Sequence, residues 1–226
     1  MNARHDHSTG FFRIEQVYYA DMPVPLYRNW WHRLFPKKYA KYLDMPTYEA
    51  ALISGLIEFV PKGGKVVVVG AGVGVTAAVS ARLVGPSGTV VCLEGSSQCI
   101  EQSKGTLELN DLAGTVELVH AIVGTDISVY ESSEKASVLP ADQLPNCDVL
   151  ELDCEGAETK ILREMTIRPE TILVETHGSH GAPTQEVSCI LEDLGYSVKN
   201  LGVAEPYLAD YCIEKDIFVL AAVKTR

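Results

Sequence analysis

The sequence predicts an α/β protein: a doubly wound, mostly parallel sheet with helices on both faces and an N-terminal extension. Three observations carry that expectation. Short β-branched runs alternate with helix-length segments from residue 47 onward. The first run passes straight into a glycine-rich turn, Gly70-Ala71-Gly72-Val73-Gly74, and then into a helix. The composition also breaks near residue 46. Residues 1–46 hold seven basic and four acidic side chains and 10 of the 17 aromatic residues, including both Trp; residues 47–226 hold 12 basic and 26 acidic ones. The chain therefore reads as a basic, aromatic arm, 1–46, on an acidic body, 47–226.

Pro23, Pro25, Pro36 and Pro46 break up the arm and leave room only for short helices such as Arg28–Leu34 and Lys37–Leu43. In the body, Thr47 is placed to cap a helix whose apolar residues Ala50, Leu52, Ile53, Leu56, Ile57 and Val60 recur at helical spacing; Pro61-Lys62-Gly63-Gly64 ends it. Val66–Val69, all β-branched, reads as a first strand buried on both faces. Thr76–Val84 follows as a helix, Thr89–Leu93 as the second strand, Ser97–Leu109 as a helix and Val116–Val123 as the third strand. After a polar stretch come a fourth strand, Asp148–Leu152, and a helix, Ala157–Met165. Strand Thr171–Glu175, helix Thr184–Leu194 and strands Ser197–Leu201 and Ile217–Val223 complete a seven-stranded set. About 15 residues without a convincing helix join the last two strands, so the seventh is expected to return antiparallel.

Composition narrows the function classes. With 46% hydrophobic residues the chain can bury a sizeable core, which excludes disorder as a class. A net charge of -11 argues against broad phosphate-backbone binding by the body. Cys92, Cys99, Cys147, Cys154, Cys189 and Cys212 form neither a CxxC pair nor a zinc pattern with His, and read as buried reduced thiols. No apolar run is long enough to span a membrane and MNARHDHSTG has no leader character, so a cytoplasmic protein is expected. Neither a P-loop nor a G-x-S-x-G elbow occurs.

Glycines at a strand–helix turn let the backbone turn sharply and let a ligand approach the main chain at the helix N-terminus. The dinucleotide fingerprint needs Gly or Ala where this chain has Val75, so the turn suits a nucleoside with an amino-acid tail better than a pyrophosphate. Glu94 ends the second strand about 20 residues on, where a carboxylate can accept both hydroxyls of a ribose and repels a 2′-phosphate.

Five blocks, GAGVGVT (Gly70–Thr76), LEGSSQCIEQSKGTLELNDL (Leu93–Leu112), HAIVGT (His120–Thr125), LELDCEGAETKIL (Leu150–Leu162) and LVETHG (Leu173–Gly178), occur in one order and spacing. Over about residues 50–223 the chain thereby resembles the S-adenosylmethionine-dependent methyltransferases, and within them the FkbM-type family. The resemblance implies a class I methyltransferase fold, Rossmann-like, with seven strands and the last antiparallel. It implies S-adenosyl-L-methionine as cofactor and methyl transfer to a hydroxyl oxygen of a sugar or small metabolite. Carried onto this chain, the cofactor contacts fall on Gly70, Ala71, Gly72, Gly74, Thr76, Glu94, Gly95, Ser96, Ala121 and Asp153. The chain departs from the family pattern at Val68, usually acidic, at Gly72, usually Asn, and near Glu151, where a basic residue is common.

Strand four ends in Asp153-Cys154-Glu155-Gly156-Ala157-Glu158, and strand five in Glu175-Thr176-His177-Gly178-Ser179-His180. Open α/β sheets bind ligands beyond the C-terminal strand edge, so the two tips are expected to meet at the reaction centre. Methyl transfer is mainly a positioning task, helped by a base for an alcohol's proton. Asp153, Glu175 and His177 are the catalytic candidates, and His177 suits the base by its unperturbed pKa of about 6.5. Glu155 and Glu158 open a helix, where the dipole favours acids regardless of function. Asp153, Glu175 and His177 also admit a divalent cation, but the motif fixes no ligand geometry and no metal ligand is assigned.

Two other readings stay open: a NAD-dependent oxidoreductase on a Rossmann sheet, and a non-catalytic module that binds S-adenosylmethionine. The expected partner is a small-molecule or glycosidic acceptor, not nucleic acid. The arm, with Trp30, Trp31, Tyr39 and Tyr42, reads as a cap over the acidic mouth or as a contact between copies of the chain.

Overall fold

The computed structural model describes residues 48–124 and 136–225, with the backbone alone of four short strands before them. β1 (Phe11–Ile14) pairs antiparallel with β2 (Val17–Ala20), and β3 (Pro23–Pro25) with β4 (Ala40–Tyr42). A strand over Ala40–Tyr42 replaces the helix expected at Lys37–Leu43. A helix that short has little stability of its own and yields to backbone pairing. The helix expected at Arg28–Leu34 and the side chains of Trp30, Trp31, Tyr39 and Tyr42 lie outside the described residues, whereas the first body helix takes Glu49, in the left-handed region and with no side-chain cap bond, as its N-cap in place of the expected Thr47.

The body alternates strands and helices as the hydrophobic pattern requires. The helices are α1 (Ala50–Phe59), α2 (Val75–Val84), α3 (Ser97–Leu109), α4 (Glu158–Glu164), α5 (Thr184–Asp193) and α6 (Ala209–Lys215). The strands are β5 (Lys65–Val69), β6 (Thr89–Glu94), β7 (Val116–Val123), β8 (Ser137–Leu139), β9 (Val149–Leu152), β10 (Thr171–Glu175), β11 (Tyr196–Val203) and β12 (Phe218–Lys224). They form one eight-stranded sheet in the order β11-β12-β10-β9-β5-β6-β7-β8. From β10 to β8 every pairing is parallel, while β12 runs antiparallel to both β10 and β11. The antiparallel last strand is thus borne out.

Two elements differ from expectation. An eighth strand, β8, extends the sheet beyond β7; at three residues, with Val138 57% exposed, it is too short to show a period. The β11–β12 connection contains helix α6, in which only Cys212 is buried. A helix with a single buried side chain leaves no amphipathic stripe to read.

Burial on both faces explains the all-valine strand. Val66 and Val68 pack with α1 and α2 residues such as Leu52, Leu56 and Ala78, whereas Val67 and Val69 pack with Ile161, Leu162 and Leu191 of α4 and α5. All six cysteines are free thiols. Among the described residues no helix is long and apolar enough to cross a membrane.

The central strands bring two tips together. The Asp153 amide donates to the carbonyl of Val69 at 2.9 Å, and the Gly70 amide to that of Leu93 at 2.8 Å. Gly70 has φ +90°, and a Cβ there would lie 1.7 Å from the Asp153 carbonyl oxygen. Gly70→Ala is therefore expected to destabilise the fold by about 1–3 kcal/mol from backbone strain alone, and by more through the clash. Thermal denaturation checks this; a midpoint within about 2 °C of the parent would contradict the packing.

Candidate active site

A cleft of about 220 Å³ opens at the C-terminal edge of β5, β6 and β9. Gly70 and Gly72 of the glycine turn form one wall, and Leu93, Glu94 and Ala121 another, while Asp153 stands at the end nearest β10. Glu94, 7% exposed, accepts hydrogen bonds from the amides of Gly72 at 3.0 Å and Ser96 at 2.7 Å. One carboxylate thus ties the glycine turn to the start of α3. Ser96 then caps α3 by accepting from the Cys99 amide at 3.3 Å, and the Ser103 hydroxyl donates to the Gly72 carbonyl at 2.9 Å. Gly72 has φ +50°, and the nearest atom to a Cβ there is the Tyr48 hydroxyl oxygen at 3.7 Å, so its bare face looks onto open cleft.

Of the sequence-derived cofactor residues, Gly70, Gly72, Glu94, Gly95, Ser96, Ala121 and Asp153 line this cleft. Ala71, Gly74 and Thr76 build the turn behind it. Ala71 packs in the core, a Cβ on Gly74 would meet the Ser103 Cα at 2.9 Å, and Thr76 lies buried in the first turn of α2.

The three catalytic candidates meet. His177 Nε2 stands 3.5 Å from Asp153 Oδ1 and 3.6 Å from Glu175 Oε1, with Glu155 Oε2 at 3.7 Å. Its Nδ1 lies 2.9 Å from Glu158 Oε1, and Glu158 accepts as well from the amides of Cys154 at 3.0 Å and Gly156 at 2.9 Å. Glu158 therefore does more than open α4: it holds the Asp153–Gly156 turn and orients the imidazole. His177 is 3% exposed; burial opposes its charge, but the Glu158 hydrogen bond and the charge of Asp153 outweigh that and lift its pKa to about 9. Burial and then the Glu49 charge push the Asp153 carboxyl well above the usual carboxylate range. His180 stacks on His177 with ring centres 6.1 Å apart and bonds to Glu155 at 3.1 Å, with both partners nearly half exposed.

Sequence reasoning missed a second set of acids. Tyr48 and Glu49 line the cleft, and the Glu49 amide donates to Glu205 Oε1 at 2.6 Å across 156 residues. Burial first, and the Glu205 charge second, raise Glu49 to about 8, while burial raises Glu205 to about 7. No local pattern marks this pair, because the partners come from the two ends of the body. Val68 is core, and Glu151, paired across from it on β9, is fully buried without a hydrogen bond to either carboxylate oxygen.

A family model described as protein-L-isoaspartate(D-aspartate) O-methyltransferase (PCMT) matches residues 8–132, more than half of the chain. The chain belongs to this family. No curated protein matches it. Among solved structures, precorrin-6y C5,15-methyltransferase from Geobacter metallireducens is similar with a TM-score of 0.54 and 18% identity, over 82% of this chain and 92% of that one. A SAM-dependent O-methyltransferase from Thermotoga maritima follows at 0.52 and 18%, over 86% and 71%. Aeropyrum pernix fibrillarin, in complex with natively bound S-adenosyl-L-methionine, is similar at 0.51 and 14%, over 98% and 97%. At these identities the likeness establishes the fold, the Rossmann-like one of class I methyltransferases. The PCMT match and that fold agree.

The Glu49–Glu205 contact has a pH signature. A carboxyl whose folded pKa exceeds its ordinary 4.5 binds protons more tightly when folded, so stability falls as pH rises from about 4.5 to about 7 for Glu205 and then levels. Glu205→Gln removes that loss. After allowance for partial solvation, the variant is expected to gain about 1 kcal/mol over the parent at pH 8, a few degrees in melting temperature, and almost nothing at pH 4.5. Melting curves across that range check it; a pH-independent difference would contradict it.

Proposed function

We propose that this chain transfers a methyl group from S-adenosylmethionine to a hydroxyl oxygen on a sugar or small metabolite, the activity its FkbM-type resemblance implies. The observation that carries the reading is Glu94, a cleft-lining carboxylate fixed by two backbone amides beside a glycine turn whose Gly72 face is bare. These residues fit the cofactor: Glu94 can accept from ribose hydroxyls, Leu93 and Ile122 offer apolar walls to a base, and Gly70 and Gly72 admit the amino-acid tail. When bound, the cofactor supplies an electrophilic methyl group on a sulfonium. The solved likenesses include a SAM-dependent O-methyltransferase and a protein with natively bound S-adenosyl-L-methionine, which supports the cofactor.

This chain's own residues then position the acceptor. Asp153 is the member of the catalytic group that lines the cleft, with 20% of its side chain exposed, so the acceptor hydroxyl docks against its carboxylate. Glu175 and His177 lie behind it; with its pKa at about 9 the imidazole already carries a proton at neutral pH, so Asp153 and not His177 takes the hydroxyl proton. Glu49, Asp153 and Glu155 all line the mouth, which favours a neutral hydroxyl over an acidic acceptor. The L-isoaspartate of the family description would bring a further carboxylate into a mouth where burial and neighbouring acids already raise the pKa of Glu49 and Asp153. A NAD-dependent oxidoreductase is disfavoured by Val75 at the third fingerprint position. The arm, 1–46, belongs to this reading as an acceptor cap or a contact between chains.

Isothermal titration tests the reading. One S-adenosylmethionine is expected to bind per chain, and Glu94→Ala to weaken it at least about tenfold, or ~1.4 kcal/mol. Asp153→Asn is expected to lower turnover on a panel of alcohols at least about 100-fold at saturating cofactor. Binding of neither the cofactor nor its demethylated product would end the proposal.

A further inference from the structure

We propose that Asp153, Glu175 and His177 form a binding site for one divalent metal ion of the Mn²⁺ or Zn²⁺ kind at the rim of the cleft. The inference goes beyond the proposed methyl transfer and does not need the cofactor, because all three ligands belong to the chain itself.

The geometry is that of an ion's surroundings. One ligand atom from each residue lies within 4.8 Å of the others. His177 Nε2 is 3.5 Å from Asp153 Oδ1 and 3.6 Å from Glu175 Oε1. These spacings are longer than good hydrogen bonds, so the three groups pair by charge without bonding directly. They match the separation of about 3–3.5 Å between neighbouring ligands that each stand roughly 2.0–2.2 Å from a shared ion. A set of two carboxylates and one imidazole suits Mn²⁺ or Zn²⁺ and leaves coordination positions open.

The imidazole supplies an independent sign. His177 is almost wholly buried, and its Nε2 makes no hydrogen bond although it is aimed at the two carboxylates. Its other nitrogen is committed. Glu158 is fully buried and already accepts from two backbone amides, so it faces Nδ1 as an acceptor and leaves Nε2 directed into the group, where an ion would take the place of its proton. A carboxylate behind a histidine that points its free nitrogen at other ligands is the usual outer support of a metal-bound imidazole. Among the described residues no Lys or Arg lines the adjoining cleft, and a single imidazole faces Asp153, Glu155 and Glu175. Burying such carboxylates without a counter-charge is costly, and a divalent ion removes that cost. The sequence names these three residues without fixing their geometry; the folded sheet brings one ligand atom of each together.

Titration of the chelator-treated full-length chain with Mn²⁺ alone, followed by the EPR signal of free Mn²⁺, tests this without cofactor or acceptor. One Mn²⁺ per chain is expected to be taken up. Glu175→Gln and His177→Gln are each expected to weaken uptake at least 30-fold, and Glu158→Gln by about 10–100-fold through loss of orientation. Far-UV circular dichroism and S-adenosylmethionine titration of each variant establish that it is folded. Absence of stoichiometric uptake by the parent would overturn the site. So would uptake that folded Glu175→Gln and His177→Gln variants retain. Cofactor binding with no Mn²⁺ uptake would leave the methyltransferase reading standing and remove the metal alone.

Discussion

The approach of Gly70 to the Asp153 carbonyl is the constraint on which the rest of the site depends. Two parallel strands end at one level, and their tips close to a distance that excludes even one methyl group. The glycine turn and the acidic tip of β9 are thereby locked side by side. A ligand held by the turn has its tail beside Asp153 because nothing can stand between them. From this contact follow the cleft, its placement at the C-terminal sheet edge, and the meeting of Asp153 with β10 one strand away.

Charge is the second organising feature. Glu49, Asp153, Glu155, Glu175 and Glu205 gather at one end of the sheet, and burial raises the pKa of four of them. Carboxylates gathered in this way oppose folding, and a fold tolerates them where they bind something positive. The cofactor's cationic methionine end and the proposed divalent ion at the strand tips would be two such partners. Glu158 is the exception among the acids, because two backbone amides and His177 satisfy it completely.

Much of this was legible in the sequence because it rests on local pattern. The bounds of α3, β7 and β10 follow from periodicity, and the glycine turn with Glu94 follows from spacing along two consecutive strands. The parts that were not legible come from contacts between distant segments. The Glu49–Glu205 bond joins the entry to α1 with the loop before α6, and neither residue carries a local signal. Glu158 reads as an ordinary helix-start acid until His177 folds onto it from 19 residues away. Val68 reads as a lost acid, yet Glu151 stands across from it on β9, so a carboxylate is present at that level of the sheet on the neighbouring strand. β8 and α6 were missed because three exposed residues and a helix with a single buried side chain display no period.

The central claim is that the glycine turn, Glu94 and the acidic strand tips form one site with the cofactor's nucleoside at one end and the reaction centre at the other. A crystal structure with the demethylated cofactor, S-adenosylhomocysteine, tests it most directly. The account predicts both ribose hydroxyls within hydrogen-bond distance of Glu94, the amino-acid tail along Gly70–Gly72, and the sulfur directed toward Asp153. A ligand bound with its ribose away from Glu94, or with its sulfur facing away from the β9 and β10 tips, would contradict it.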